Sequence, residues 1–324
     1  MSTFRRLSVT ISDSGKVTRR IEHADLKSFD TDELLIKVAY SSLNYKDALS
    51  ASGNKGISRY YPHTPGIDAA GVVARSHHPD FKEGDPVIVT GYDLGMNTKG
   101  GFSEYISVPA DWVVSLPEKM SLKEAMMLGT AGLTAAMSID KIRHSDLSKL
   151  PVVISGATGG VGSVALLILK KLGIETVAYS RRPETAGYLT SLGAGEVIHN
   201  WEESPKPMLK GLYSGGIDTV GGRVLENMIK HITLNGALSV CGMALSSDIC
   251  TSVFPFILRG ITMYGIGSAE SPFSWKKELW AKLAGEWKPD GLEAITRTVT
   301  LEGLEAEIER MLAGRALGRV IVEM

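Results

Sequence analysis

The sequence has little cysteine, no long apolar run and almost no net charge. Only Cys241 and Cys250 occur in 324 residues, which excludes a disulfide framework and a multi-cysteine zinc site. A formal net charge of −1 gives no general attraction to nucleic acid or to an anionic membrane. No apolar run reaches membrane-spanning length, and the N-terminus lacks a secretory apolar core. We therefore expect a cytoplasmic protein with a small-molecule substrate and no nucleic-acid or membrane partner.

A glycine-rich turn between a strand and a helix is the most informative feature that is present. A β-branched strand at 152–155 leads into Gly-Ala-Thr-Gly-Gly-Val-Gly at 156–162, and an apolar helix opens near Gly160. This fits A-x-G-x-x-G, with Ala157 in place of the first glycine. Helix N-termini attract phosphates, so the pattern predicts a dinucleotide cofactor rather than an ordinary βα turn. The expected contacts are Thr158, Gly159, Gly160 and Val161.

The end of the next strand, at 176–180, indicates which dinucleotide. An NAD enzyme usually has an acidic residue here for the ribose 2′-hydroxyl, whereas this chain reads Ser180-Arg181-Arg182-Pro183. A hydroxyl and two guanidinium groups suit a 2′-phosphate, which favours NADPH. In the alternative, the arginines are solvated surface charges and Glu184 reaches the ribose.

The pattern of apolar residues changes twice along the chain. Residues 1–120 show short alternating segments separated by Gly, Pro and Asp turns, which predicts a β-rich unit. Residues 121–267 alternate helix and strand patterns, beginning with a helix at 125–139, which predicts a doubly wound nucleotide-binding domain. Residues 268–324 contain a Trp-rich amphipathic stretch and a closing strand, and we expect them to return to the first unit. The fold class is α/β with two domains.

Several motifs then make a family resemblance specific. They are Pro-Gly-Ile-Asp-Ala-Ala-Gly-Val at 65–72, Gly-Gly-Phe-Ser-Glu-Tyr at 100–105, Gly-Thr-Ala-Gly-Leu-Thr-Ala at 129–135, Ser-Leu-Asn-Tyr-Lys-Asp at 42–47 and Pro-Phe-Ile-Leu-Arg-Gly at 255–260. Together, they resemble the medium-chain dehydrogenase/reductase superfamily, in its acrylyl-CoA reductase group, often labelled quinone oxidoreductases. The resemblance implies a GroES-like catalytic domain (1–120 and 268–324) and a Rossmann NADP-binding domain (121–267).

The chain departs from the zinc branch of that superfamily. Zinc alcohol dehydrogenases place a cysteine near the position of Asn44 and a His-Glu pair where this chain has Ile67-Asp68. A catalytic zinc needs about three protein ligands, and His63 with Asp68 does not provide them. His77 and His78 precede a proline and are expected in an exposed turn. We expect no metal, and hydride addition to a conjugated C=C bond.

Such a reduction needs hydrogen-bond donors at the developing enolate oxygen and a proton at the α-carbon. Asn44 and Tyr45 are the first candidates, because the segment at 42–47 is expected to be a loop after a strong strand and they carry an amide and a hydroxyl. Asp47 and Asp68 are candidates to hold those groups or to relay a proton. The alternatives are turn capping or an ion pair for the acids and core packing for Tyr45.

Further cofactor contacts follow from the resemblance. They are Asn44, Thr130 near the nicotinamide, Gly242 with the adjacent Met243 and Ile266 after buried strands, and Gly318. Thr130 has the alternative of a helix cap, and Met243 that of core filler. Arg319 is a candidate phosphate or substrate contact, or else a basic residue that begins a surface strand.

The sequence thus predicts NADPH-dependent reduction of the C=C bond of a small α,β-unsaturated carbonyl, with acrylyl-CoA the leading substrate. One alternative is an NADPH:quinone oxidoreductase. The other is a nucleotide-binding regulator without catalysis. We also expect a homodimer, because the strand at 261–266 would lie at a sheet edge, and unpaired edges are commonly covered.

Overall fold

The computed structural model describes residues 3–29, 33–202 and 204–324. The strands, in chain order, are β1 (Thr3–Ile11), β2 (Val17–Asp25), β3 (Leu34–Ser42), β4 (Asp68–Arg75), β5 (Pro86–Thr90), β6 (Tyr105–Val108), β7 (Val113–Ser115), β8 (Val152–Ile154), β9 (Thr176–Tyr179), β10 (Glu196–Ile198), β11 (Tyr213–Asp218), β12 (Ile232–Val240), β13 (Thr262–Gly265), β14 (Thr296–Val299) and β15 (Arg319–Glu323). The helices are α1 (Tyr45–Ala51), α2 (Leu122–Ile142), α3 (Gly160–Lys171), α4 (Ala186–Ser191), α5 (Gly222–His231), α6 (Phe254–Arg259), α7 (Phe273–Ala284) and α8 (Leu304–Leu312). Within these described ranges, no helix has the length and apolar character needed to cross a membrane.

The chain divides into two compact units. The first comprises residues 1–130, 269–284 and 293–324, and the second comprises residues 131–268 and 285–292. The sequence placed the domain boundaries at 120/121 and 267/268, and these boundaries stay predictions.

The first unit is built on antiparallel strands. Its main sheet has the order β14-β15-β3-β4-β5-β7, with β6 also paired to β3, and β1 pairs with β2 in a separate ribbon. Ile321 of β15 pairs with Ser42 of β3, and Ser41 pairs with Ala69 of β4. This register brings together the end of β3 and the beginnings of β4 and β15. The β-rich character predicted for residues 1–120 is confirmed.

The second unit is a doubly wound α/β domain, as the sequence predicted. Its six strands are all parallel, in the order β10-β9-β8-β11-β12-β13. The order reverses between β8 and β11, which is where open sheets of this kind bind ligands beyond the carboxyl ends of their strands. Strand β13 lies at the sheet edge, so that expectation is confirmed too.

Two local elements differ from the sequence-based expectation. The segment at 42–47 was expected as a loop, but Tyr45 and Asp47 lie in the first turn of α1. The helix expected around 125–139 extends over α2 and is interrupted at Gly129, which has φ 53° and ψ −156°. A residue with positive φ breaks the helical pattern of backbone N–H groups, and this break matters for the site described next.

Candidate active site

Asp68, the first residue of β4, is the centre of a buried group of polar side chains in the first unit. Its side chain is 0% exposed. Its Oδ2 atom accepts hydrogen bonds from Ser42 Oγ at 2.5 Å and Asn44 Nδ2 at 2.8 Å, and its Oδ1 atom accepts one from Thr130 Oγ1 at 2.5 Å. With the two neighbours described below, these residues form what we call the Asp68 cluster: Ser42, Asn44, Asp47, Asp68, Thr130 and Arg319.

The break in α2 explains why Thr130 reaches Asp68. The Thr130 N–H donates to Asp68 Oδ2 at 2.9 Å, so both the backbone and the hydroxyl of Thr130 bind the carboxylate. A Cβ atom on Gly129 would lie 2.5 Å from Ser42 Oγ and 2.6 Å from Asp68 Oδ2. Only glycine therefore fits at 129, on both steric and φ grounds. The hydroxyl of Thr130 binds Asp68, a contact that the helix-cap alternative did not include.

Asp47 accepts hydrogen bonds from two segments of backbone. Its Oδ2 atom accepts from the Asn44 N–H at 2.8 Å, and its Oδ1 atom accepts from the N–H groups of Gly66 at 3.1 Å and Ile67 at 2.8 Å. Burial, and next the charge of Asp68, raise the pKa of Asp47 to about 7. These contacts fix the start of α1 against the turn that precedes β4, which is the capping role that the sequence left open.

Arg319 joins three segments of the first unit. It is 2% exposed, and its guanidinium donates to Met127 O at 3.0 Å, to Ser42 Oγ at 2.8 Å and to Asn44 Oδ1 at 3.3 Å. The surface-strand alternative for Arg319 is therefore wrong, because the pairing of β15 with β3 turns this residue into the interior. Gly318 directly precedes it with φ 62°.

Asn44 and Tyr45 are adjacent but have opposite environments. The Asn44 amide donates to Asp68 and to Ser42 O at 3.3 Å, and its oxygen accepts from Arg319. Its polar atoms thus already have protein partners, which favours a positioning role over donation to a substrate. Tyr45 is 52% exposed, so the core-packing alternative is wrong. Among the described residues, no hydrogen bond involves the Tyr45 hydroxyl, which leaves it accessible to a ligand.

In the second unit, the glycine-rich turn connects β8 to α3. Gly156 has φ 56°, and a Cβ atom there would lie 2.1 Å from Thr219 Oγ1. The conformation that needs glycine therefore falls on Gly156, one position before the motif, which explains why Ala157 is tolerated in the first glycine's place. Gly159 caps α3, and Gly160 and Val161 form its first turn, as predicted. The N–H groups of such a turn have no partner within their helix.

Polar side chains meet where β9 ends, beside that turn. Arg182 Nη2 donates to Thr158 Oγ1 at 2.7 Å, and the Arg182 N–H donates to Ser180 Oγ at 3.2 Å. Ser180 Oγ also lies 2.9 Å from Thr185 Oγ1. Arg181 is exposed. We call Thr158, Ser180, Arg182 and Thr185 the Ser180 cluster.

The other predicted cofactor residues lie at the same edge of the parallel sheet. Gly242 follows β12, and Ile266 follows β13 with its N–H donating to Val240 O at 2.9 Å. Met243 is 72% exposed, so it is not core filler.

A buried acid that the sequence analysis missed also lies at this edge. Asp218, the last residue of β11, accepts from Ser155 Oγ at 2.6 Å and from the Gly221 N–H at 2.8 Å. The Thr219 N–H in turn donates to Ser155 Oγ at 2.9 Å. These bonds tie the turn after β8 to the turn after β11. An acid that ends an otherwise apolar strand, in Gly-Ile-Asp-Thr at 216–219, was the available signal.

In the part of the chain that the structure describes, no three His, Cys, Asp or Glu side chains are placed to hold a metal ion. His77 and His78 are exposed, as expected, and His63 is buried with Nε2 at 2.8 Å from Gly95 O. Metal independence stays a prediction.

Comparison with known proteins identifies the family. The alcohol dehydrogenase GroES-like domain matches residues 30–118, and the zinc-binding dehydrogenase domain matches residues 160–284. YhfP of Bacillus subtilis is 41% identical over 330 residues, which cover 100% of each chain. This chain belongs to the medium-chain dehydrogenase/reductase superfamily. Acrylyl-CoA reductase AcuI of Ruegeria pomeroyi is 37% identical over 317 residues, covering 96% of each chain. The predicted group within the superfamily is thereby confirmed.

Solved structures of this reductase family agree with the fold. The yhdH oxidoreductase of Salmonella enterica, in complex with NADP, superposes with a TM-score of 0.95 at 36% identity and covers 99% of both chains. YhfP of Bacillus subtilis with NAD bound gives a TM-score of 0.96 at 40% identity over 100% of both chains. The GroES-like and Rossmann architecture is confirmed.

Proposed function

We propose that this oxidoreductase uses NADPH to reduce the C=C bond of a small α,β-unsaturated carbonyl, with acrylyl-CoA converted to propionyl-CoA as the leading reaction. The similarity that carries this proposal is to AcuI, a protein named acrylyl-CoA reductase, which aligns with 96% of the chain at 37% identity.

The residues at the carboxyl edge of the parallel sheet fit a dinucleotide. The turn at 156–162 packs so closely on α3 that a Cβ on Gly162 would lie 2.6 Å from Ala157 Cα. The N-terminus of α3, which begins at Gly160, is the kind of site that binds a pyrophosphate. Arg182 bridges from the end of β9 to Thr158 in that turn. An arginine and a serine at this position favour a 2′-phosphate over a free ribose hydroxyl.

Bound NADPH would supply a hydride to the β-carbon of the double bond, and a proton from solvent would complete the reduction at the α-carbon. Negative charge develops on the thioester oxygen during this addition, and the Tyr45 hydroxyl is the group that we assign to stabilise it by a hydrogen bond. The Asp68 cluster holds the first turn of α1, and so holds Tyr45, through the bonds of Asn44 and Asp47. In this assignment, Asn44, Asp47 and Asp68 are positioning residues.

Quinone reduction is the second candidate. It is supported by the 41% identity to YhfP, a protein named "putative quinone oxidoreductase". The same relative was crystallised with NAD, whereas the Salmonella protein was crystallised with NADP. The Ser180-Arg181-Arg182 sequence of this chain favours NADP over NAD.

A single screen separates these functions. The purified protein would be given NADPH or NADH with acrylyl-CoA, crotonyl-CoA, simple enones or quinones, and cofactor oxidation would be followed by absorbance at saturating cofactor. We expect the highest kcat/KM with NADPH and acrylyl-CoA. Faster turnover of quinones than of every enoyl thioester would overturn the substrate assignment in favour of the second candidate. Binding of NADPH with no turnover of any acceptor would instead support the non-catalytic regulator.

A further inference from the structure

The carboxyl end of β10 places a histidine directly beside the Ser180 cluster. Strand β10 pairs in parallel with β9, with Ile198 opposite Tyr179. The Ser180 N–H continues this pairing by donating to Ile198 O at 3.1 Å. His199, the next residue, lies with Nδ1 at 2.7 Å from Ser180 O. The backbone of Ser180 is therefore bound on both sides by the end of β10.

This contact fixes the orientation and protonation of the ring. A backbone carbonyl only accepts hydrogen bonds, so Nδ1 of His199 carries a proton and donates it to Ser180 O. Nε2 then lies on the side of the ring away from Ser180 O. Among residues 3–29, 33–202 and 204–324, no hydrogen bond or ion pair involves that nitrogen, and the ring is half-buried.

From this geometry, we infer that His199 contributes Nε2 to the binding site for the 2′-phosphate of NADPH, as a determinant of cofactor specificity that the Ser-Arg-Arg sequence does not contain. The inference rests on the proposed use of NADPH. A phosphate monoester and an imidazole Nε2 share one proton in a hydrogen bond, whichever partner carries it. Arg182 then serves the phosphate together with His199, and the Ser180 backbone between them sets the spacing.

Two near-isosteric variants separate a ligand role from a scaffold role. His199→Asn keeps an N–H at the position of Nδ1, so it retains the bond to Ser180 O and removes the distal nitrogen. His199→Gln places its amide nitrogen near the position of Nε2 and loses the proximal donor. His144→Asn, at an exposed histidine of the same unit, is the matched control.

Isothermal titration calorimetry with 2′,5′-ADP and with ADP reports the 2′-phosphate contact without requiring turnover. We expect His199→Asn to weaken binding of 2′,5′-ADP by about tenfold, and His199→Gln to weaken it less. Binding of ADP should stay unchanged in both variants, which also shows that they are folded. The control should match the parent protein for both ligands.

Three outcomes would contradict the inference in different ways. If the parent prefers 2′,5′-ADP and His199→Asn keeps that preference within about twofold, the role of His199 is wrong while the cofactor assignment stands. If His199→Gln loses more affinity than His199→Asn, the proximal bond to Ser180 matters and the ligand role is wrong. If the parent binds ADP as tightly as 2′,5′-ADP, the proposed use of NADPH itself is wrong.

Discussion

The Asp68 cluster of the first unit and the Ser180 cluster of the second contain similar side chains but differ in burial and in hydrogen bonding. In the first, Asp68 is fully buried and accepts a hydrogen bond from the Asn44 amide, whose oxygen in turn accepts one from the Arg319 guanidinium. In the second, Arg182 is only half-buried, and Arg181 is exposed. Groups that hydrogen-bond one another hold a fixed geometry, whereas an exposed cationic group such as Arg181 can contact an anion from solvent. We therefore expect substitutions in the first cluster to change stability and geometry, and those in the second to change cofactor affinity.

The strongest test of this comparison removes the buried cation. Arg319→Met removes a buried cation that binds Ser42 and Asn44 and whose charge acts on Asp68, which should lower the free energy of unfolding by about 3–5 kcal/mol. Urea denaturation of the variant and the parent, without cofactor, would measure the change. Arg20→Met, at an exposed position of β2, is the control and should lie within about 0.5 kcal/mol of the parent. Equal stability of Arg319→Met and the parent would show that the Asp68 cluster is not a structural unit.

The proposed role of Tyr45 links the Asp68 cluster to catalysis, because this cluster holds the first turn of α1. If its hydroxyl stabilises the thioester oxygen, Tyr45→Phe should slow hydride transfer by about 100- to 1,000-fold and leave the Kd for NADPH unchanged. Single-turnover reduction of acrylyl-CoA at saturating NADPH would measure the rate. Tyr60→Phe, at a tyrosine that is 71% exposed, is the matched control. A rate within about threefold of the parent would restrict α1 to a scaffold role.

Asp47 should give the buried cluster a pH dependence. Its pKa of about 7 lies above the ordinary value of 3.8, so the folded state binds a proton more tightly than the unfolded state. Protonated Asp47 therefore adds to the free energy of unfolding in full below about pH 4. This contribution, on the order of 3 kcal/mol, is lost as the pH rises toward 7. Urea denaturation of the parent and Asp47→Asn at several pH values would measure it. If the free energy of unfolding changes with pH in the same way for the parent and for Asp47→Asn between pH 4 and 7, this expectation is contradicted.

Substitutions in and next to the Ser180 cluster should change the affinity for NADPH rather than the stability of the fold. Arg182→Ala should cost about 1.5–3 kcal/mol in NADPH binding, with little effect on NADH binding or on unfolding. Arg181→Ala should cost less, because Arg181 has no described contact with Thr158, and the double variant should lose its preference for NADPH. Fluorescence titration with both cofactors would measure these affinities. A double variant that still prefers NADPH would contradict the assignment of the Ser180 cluster.

Substitutions at the β13 edge of the second unit are expected to have the smallest effect on either cluster. Exposed apolar side chains lie on and near β13, including Val253, Ile257 and Met263. We predict that a second copy of the chain covers this edge, and that Ile257→Asp with Met263→Lys gives a monomer with nearly unchanged NADPH affinity. Light scattering at working concentration would measure the mass. A parent protein that is already monomeric would refute the prediction.

The sequence alone determined the features that depend on neighbouring residues. A glycine-rich turn between a strand and a helix, and an arginine pair after the next strand, lie within short segments, so their backbone geometry follows from local sterics and periodicity. The same is true of the β-rich and doubly wound halves, and of β13 as an edge strand. The five motifs also indicated the family. The local pattern did not show that residues 45–51 form a helix.

Only the tertiary structure decided which polar groups have partners. Arg319 and Asn44 are 275 residues apart in sequence and meet because β15 pairs with β3. His199 reaches Ser180 because β10 pairs with β9. Strand register joins distant residues through long-range packing, which local propensity does not contain. The sequence named Asn44 as a candidate donor to the substrate, and the fold adds that its amide donates to Asp68.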